Sequence, residues 1–243
     1  MSILLQFEKL PYPAADCTGK TFIVIGANVG IGKEAVRHFV RLNASKVILG
    51  VRSIERGEAA KADIEATTKS TKVGVMEVWE IDLSRYASVK SFASKVATLP
   101  RVDAVVLNAS IATTDWEVFE GHESTITVKV ISTMLLVLLL LPTMRALAEK
   151  FDIVPIIDVV CSDIHHWSPF RERDAPNIFA EISDKNLADM SIERLVNPQI
   201  LTSCEPLTSS MWSGTNFPSS CSCWPLEKLQ REWERNLEWF SIS

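Results

Sequence analysis

Tyrosine is scarce: Tyr12 and Tyr86 are the two tyrosines of the 243 residues. Any chemistry that needs a phenol as proton donor therefore has two candidates, both within the first 86 residues. The five cysteines, Cys17, Cys161, Cys204, Cys221 and Cys223, include no pair of C-x-x-C units, and Cys221-Ser222-Cys223 alone is a poor zinc set. His165 and His166 have no third ligand at useful spacing, so no metal site is expected. An odd cysteine count fits a reduced, cytoplasmic protein better than a disulfide framework. No block of like charge occurs, and the net charge of −5 is spread among interspersed acids and bases. Nucleic acid and anionic membrane surfaces are thus not expected partners. The N-terminus lacks the cationic start and long apolar stretch of a signal peptide. The most apolar run, Met134 to Leu141, is about half a membrane span and reads as a buried helix.

Hydrophobic residues make up 47% of the chain, enough for one sizeable core. The organising stretch is Thr21 to Val36, T-F-I-V-I-G-A-N-V-G-I-G-K-E-A-V. A short apolar run, Phe22 to Ile25, meets three glycines, Gly26, Gly30 and Gly32. A helix-period pattern follows, with Val36, Phe39 and Val40 apolar. Strand, glycine turn and helix together predict the first β-turn-α of a dinucleotide-binding fold. Unpaired N–H groups and partial positive charge at a helix start suit a pyrophosphate, and glycines let backbone and cofactor approach. The candidate residues are Gly26, Asn28, Gly30, Ile31 and Gly32; a purely structural turn is the alternative.

Further strands are predicted at Lys46–Val51, Val73–Ile81, Ala104–Leu107 and Ile153–Val160, with helices at Ile54–Thr68, Ala87–Ala97 and Gly121–Met144. This alternation predicts an α/β fold, a doubly wound parallel sheet of Rossmann type, from about Lys20 to Val160. Arg52 follows the second strand where NAD binders carry an acid, and its planar donor fork suits the 2′-phosphate of NADP. A solvated surface arginine is the alternative there.

The glycine spacing resembles the T-G-x-x-x-G-I-G of short-chain dehydrogenases/reductases, with Ile25 in place of the Thr. The resemblance implies hydride transfer between NADP(H) and a small-molecule carbonyl or alcohol. It also implies that Asp82 meets the adenine amino group, although Asp82 reads equally as an N-cap for the following helix. Asn108-Ala109-Ser110 corresponds to the family's N-A-G, which places Asn108 beside the cofactor. The long helix resembles the family's fourth, with Lys129 where an Asn normally supports the catalytic Lys. Its Leu-rich half exceeds one apolar stripe, which suggests burial on several sides, including in a homodimer. Ser162, in Cys161-Ser162-Asp163, corresponds to the Ser that holds the substrate oxygen. Fungal retinol-dehydrogenase-like and secondary-metabolite members carry similar His-Trp segments, which speaks against a metal role for His165 and His166; the same resemblance implies a polyketide-type ketone as one candidate substrate, while the residues themselves leave the substrate open.

The family's Y-x-x-x-K occurs nowhere in the chain. The resemblance extends to about Arg194, so residues 1–194 are expected to form the domain and 195–243 an atypical tail. The last strands of the sheet have no visible counterpart. A one-base shift of frame over Val196 to Glu205 permits Ser-[Thr/Ile]-x-Lys-Phe-Leu-Leu-Leu-Val, the continuation expected after the missing Tyr. In the tail, Leu226 to Phe240 reads as one amphipathic helix. A catalytically silent dinucleotide binder and a truncated or frame-shifted product stand as alternatives to an active oxidoreductase.

Overall fold

The computed structural model describes residues 13–68, 74–161 and 175–187. Five parallel strands form the central sheet: β1 (Thr21–Ile25), β2 (Lys46–Val51), β3 (Met76–Glu80), β4 (Ala104–Leu107) and β7 (Ile156–Val159). Their order is β3-β2-β1-β4-β7, so the winding direction reverses between β1 and β4. That reversal leaves a crevice at the carboxyl ends of the two strands, where open parallel sheets take ligands.

The strands form where they do because their residues tolerate burial on both faces. All five residues of β1 are buried, and β2 is buried from Val47 onward, as continuous apolar runs in a parallel sheet must be. On one face Phe22 and Val24 pack with Val36 and Val40 of α1 (Gly30–Arg41) and with Ile64 of α2 (Ile54–Thr68). Phe22 stacks on Phe39 at 4.1 Å between ring centroids. Ile23, Ile25 and Ile48 alternate with these residues and are likewise fully buried. Helices α3 (Tyr86–Val96) and α5 (Ser132–Phe151) pack against one another. Each such side chain contributes roughly 1.5–3 kcal/mol on burial.

The predicted helix at Gly121–Met144 needs correction at both ends. Gly121 stands in a hairpin turn between β5 (Val118–Phe119) and β6 (His122–Glu123). Glu120 and Gly121 both have positive φ, 52° and 84°, the geometry of a two-residue hairpin turn that favours glycine. The helix begins with one α turn, α4 (Ser124–Ile126), capped by the Glu123 carboxylate. It passes through a π-turn at Thr127–Ile131 and continues as α5 to Phe151. It absorbs Pro142 and ends on Asp152 in the left-handed conformation. By length and composition Ser124–Phe151 could cross a membrane, but 78% of its apolar window is buried inside the fold. It is a core helix, although Leu138 and Leu139 remain exposed.

Strands β3 and β7 are shorter than the predicted Val73–Ile81 and Ile153–Val160, each trimmed at both ends. After Cys161 the described chain resumes with α6 (Ile178–Ile182), whose Ile178 and Ile182 are buried. The proposed boundary at 194/195 and the amphipathic segment Leu226 to Phe240 lie outside the described residues.

Candidate functional site

The carboxyl ends of β1 to β4 open into a cavity of about 290 Å³. Gly26, Asn28 and Val29 line it after β1, then Arg52, Ser53 and Arg56 after β2. Ile81 to Ser84 line it after β3, and Asn108 to Ile111 after β4. Phe119 of the hairpin and Val128 of the π-turn complete the wall.

The first turn is built by close approach. Gly26 has φ +80°, and a Cβ there would lie 2.7 Å from the Ala109 Cα. Its N–H donates to the Gly50 carbonyl at 2.8 Å. Gly32, in the first turn of α1, leaves no room either. A Cβ would stand 2.3 Å from the Gly26 carbonyl oxygen and 2.7 Å from Asn108 Nδ2. Asn108 Nδ2 donates to the Gly26 carbonyl at 3.2 Å, and the Asn108 N–H donates to the Ile25 carbonyl at 3.1 Å. Residues 82 apart in sequence thus meet over one carbonyl. The structure brings Gly26, Gly32 and Asn108 together.

The start of α1 suits an anion. Its N-cap, Val29, offers no side-chain cap, and no acid occupies the first turn, so the amides of Gly30, Ile31 and Gly32 begin the helix without a carboxylate competing for them. These three residues do not themselves line the cavity, and Ile31 is 73% exposed. Any role for Ile31 is through its backbone.

Arg52 lies at the end of β2, on the cavity rim, where its position predicted it. Arg56 joins it from the first turn of α2, and its N–H donates to Ser53 Oγ at 3.4 Å. Sequence reasoning missed Arg56, which stands in the first turn of the helix that follows Arg52. Asp82 faces the cavity from the end of β3. It is not the N-cap of α3, which is Arg85. Instead Asp82 Oδ1 accepts from Ser84 N at 3.0 Å and Ser84 Oγ at 2.7 Å, while the Asp82 N–H donates to Ser88 Oγ at 2.9 Å. This is an Asx turn that fixes the carboxylate one turn before the helix.

Behind Val128 the interior is polar. Glu123 is fully buried and accepts from Ser124 Oγ (2.9 Å), Thr125 N (2.9 Å), Ile126 N (3.2 Å) and Thr125 Oγ1. Lys129 is buried in the π-turn, and desolvation holds its amine below the usual value against the opposing pull of Glu123. Ser132 Oγ donates to the Leu83 carbonyl at 2.6 Å, tying this helix to the cavity wall. The caps and hydroxyls gave no sequence signal that separated them from an ordinary helix start.

Tyr86 does not replace the absent phenol. It opens α3, does not line the cavity, and burial with the nearby Glu120 charge pushes its hydroxyl up to about 12. Tyr12 and Ser162 lie outside the described residues. Among the described residues no three His, Cys, Asp or Glu side chains converge as a metal site.

The short chain dehydrogenase family pattern matches residues 20–164. Short chain dehydrogenase/reductase dmxR8 of Cryptosporiopsis sp. is 47% identical over 186 residues, covering 75% of this chain and 57% of that protein. Short chain dehydrogenase atnD of Emericella nidulans is 46% identical over 187 residues, covering 76% and 59%. The chain therefore spans less than two thirds of the length of these relatives. Among solved structures, a protein from Mycobacterium paratuberculosis superposes with a TM-score of 0.58 at 23% identity, covering 77% of this chain and 60% of that one. A metagenomic short-chain oxidoreductase in complex with NADP gives 0.50 at 27% identity, covering 60% and 63%.

Proposed function

The chain belongs to the short-chain dehydrogenase/reductase family, and from that premise we propose that it binds NADP(H) in this cavity and serves hydride exchange with a small-molecule carbonyl or alcohol. The observation that carries the reading is the joint fit of Gly26, Gly32 and Asn108, which clears a side-chain-free turn before an uncapped helix start. In this reading Gly26, Asn28 and the amides of Gly30, Ile31 and Gly32 hold the pyrophosphate. Arg52 and Arg56 pair with the 2′-phosphate, Asp82 meets the adenine, and Asn108 lies along the adenosine-side ribose. Ser162 holds the substrate oxygen. The bound nicotinamide supplies the hydride, while the protein orients it and excludes water.

A second reading is favoured by the missing Y-x-x-x-K and by the raised Tyr86 hydroxyl. Loss of a general acid costs roughly 10²–10⁴ in rate, so this chain binds cofactor better than it turns substrate over. The fungal secondary-metabolite resemblance supports a polyketide-type ketone as ligand, and the odd cysteine count without C-x-x-C pairs supports a reduced, cytoplasmic setting. Quenching of tryptophan fluorescence by NADPH tests the binding; a titration that never saturates overturns both readings. NADPH consumption with a panel of ketones then separates an active enzyme from a silent binder.

A further inference from the structure

Three hydrogen bonds draw one corner of the cavity together. Ser132 Oγ donates to the Leu83 carbonyl at 2.6 Å, which ties the segment after β3 to the long helix. Thr127 Oγ1 donates to the Phe119 carbonyl at 2.9 Å, which ties the β5–β6 hairpin to the same helix. The Tyr86 N–H donates to Glu120 Oε1 at 2.8 Å, so the hairpin also caps the start of α3. That helix needs the help, because its own N-cap, Arg85, supplies no side-chain acceptor. Leu83, Phe119 and Val128 are gathered in this way at one corner of the wall. Leu83 is 8% and Val128 6% exposed, whereas Phe119 is half-buried. Strand alternation turns Val118 outward, 54% exposed, and Phe119 into the cavity. Phe119 is thus the residue of this corner with apolar surface left for a ligand to cover.

Two other parts of the wall suit phosphates. Arg52 and Arg56 offer cations at one, and the Gly26 turn with the uncapped start of α1 offers amides at the other. What remains for a flat, largely apolar group is the corner of Leu83, Phe119 and Val128, with Asp82 next to Leu83 in the chain. Resting on the NADP(H) reading above, we propose that Phe119 is the side chain that clamps the adenine ring of the nucleotide. Glu120 is its positioning residue: by capping α3 it holds the hairpin, and so the Phe119 ring, against the cavity. An aromatic face against a base contributes through stacking as well as through buried area.

Calorimetric titration of the full chain with NADPH and with adenosine 2′,5′-bisphosphate, which carries the base and the 2′-phosphate but no nicotinamide, tests this. Phe119→Ala is expected to weaken both ligands equally, by about tenfold. Phe119→Leu keeps apolar bulk on the hairpin without the ring, and should weaken both by about threefold even if the alanine variant fails to fold. Combined with Arg52→Gln, the Phe119→Ala loss should multiply, because base and phosphate are held at separate points. A site that had merely collapsed would not give independent factors. Glu120→Lys removes the acceptor for the Tyr86 N–H and should weaken both ligands, whereas Glu120→Gln keeps it and should restore the parent affinity. A glutamine variant as weak as the lysine one removes Glu120 from the account. Alanine and leucine variants that both bind like the parent overturn the proposal. So does a loss confined to NADPH, which would put Phe119 at the nicotinamide end. A parent chain that binds neither ligand overturns the NADP(H) reading itself, so the two failures are told apart.

Discussion

Replacing Gly32 with alanine tests the turn most directly. The added Cβ would sit 2.3 Å from the Gly26 carbonyl oxygen, more than about 1 Å inside ordinary contact. The obstacle is backbone, so no rotamer change relieves it. The start of α1 must move off β1, or the Asn108 side chain must release the Gly26 carbonyl. Overpacking of this kind costs about 1–3 kcal/mol, and the lost hydrogen bond about 1 kcal/mol more. Alanine returns about 1 kcal/mol through its helix propensity. The net expectation is a loss of about 1–3 kcal/mol, read as a lower urea midpoint with an unchanged slope. Because the displaced amides are the proposed phosphate seat, NADPH affinity should fall at least about tenfold, equivalent to about 1.4 kcal/mol. Gly30→Asn is the control. Gly30 has φ +58° with nothing within 4 Å of an added Cβ, and asparagine tolerates that conformation. It should change stability little. A Gly32→Ala chain that keeps both its urea midpoint and its NADPH affinity would refute the close-packed turn.

Two further outcomes follow from the site. Arg52→Gln and Arg56→Gln should each weaken NADPH about tenfold and leave NADH affinity within about twofold; equal losses for both nucleotides in parallel titrations would remove the 2′-phosphate assignment. Ser132→Ala strands the Leu83 carbonyl and should cost about 1–3 kcal/mol; an unchanged denaturation midpoint would show that another donor takes its place.

The opening strand-turn-helix was legible because its chemistry is local: three glycines between an apolar run and a helix period leave few alternatives. The other central strands were legible for the related reason that a parallel sheet demands continuous apolar runs, whereas Asn108 was placed through the family motif Asn108-Ala109-Ser110. Gly121 misled because a glycine beside a helical pattern reads as helix start, whereas only the pair of positive φ values at Glu120 and Gly121 distinguishes a hairpin. Asp82 misled because an Asx turn and an N-cap use the same side chain at nearly the same place. The π-turn left no trace in Thr-Val-Lys-Val-Ile, since its apolar spacing also suits an α-helix. Arg56 was visible and overlooked; its role depends on which face of α2 meets the cavity.

The knot of Gly26, Gly32, Asn108 and Ala109 has a consequence for descent as well as for binding. Four positions from two distant parts of the chain share one small volume, so a change at any of them alters what the other three can be. Lineages of this chain that abandon nucleotide binding should lose these four in concert, whereas lineages that retain it should vary freely around them.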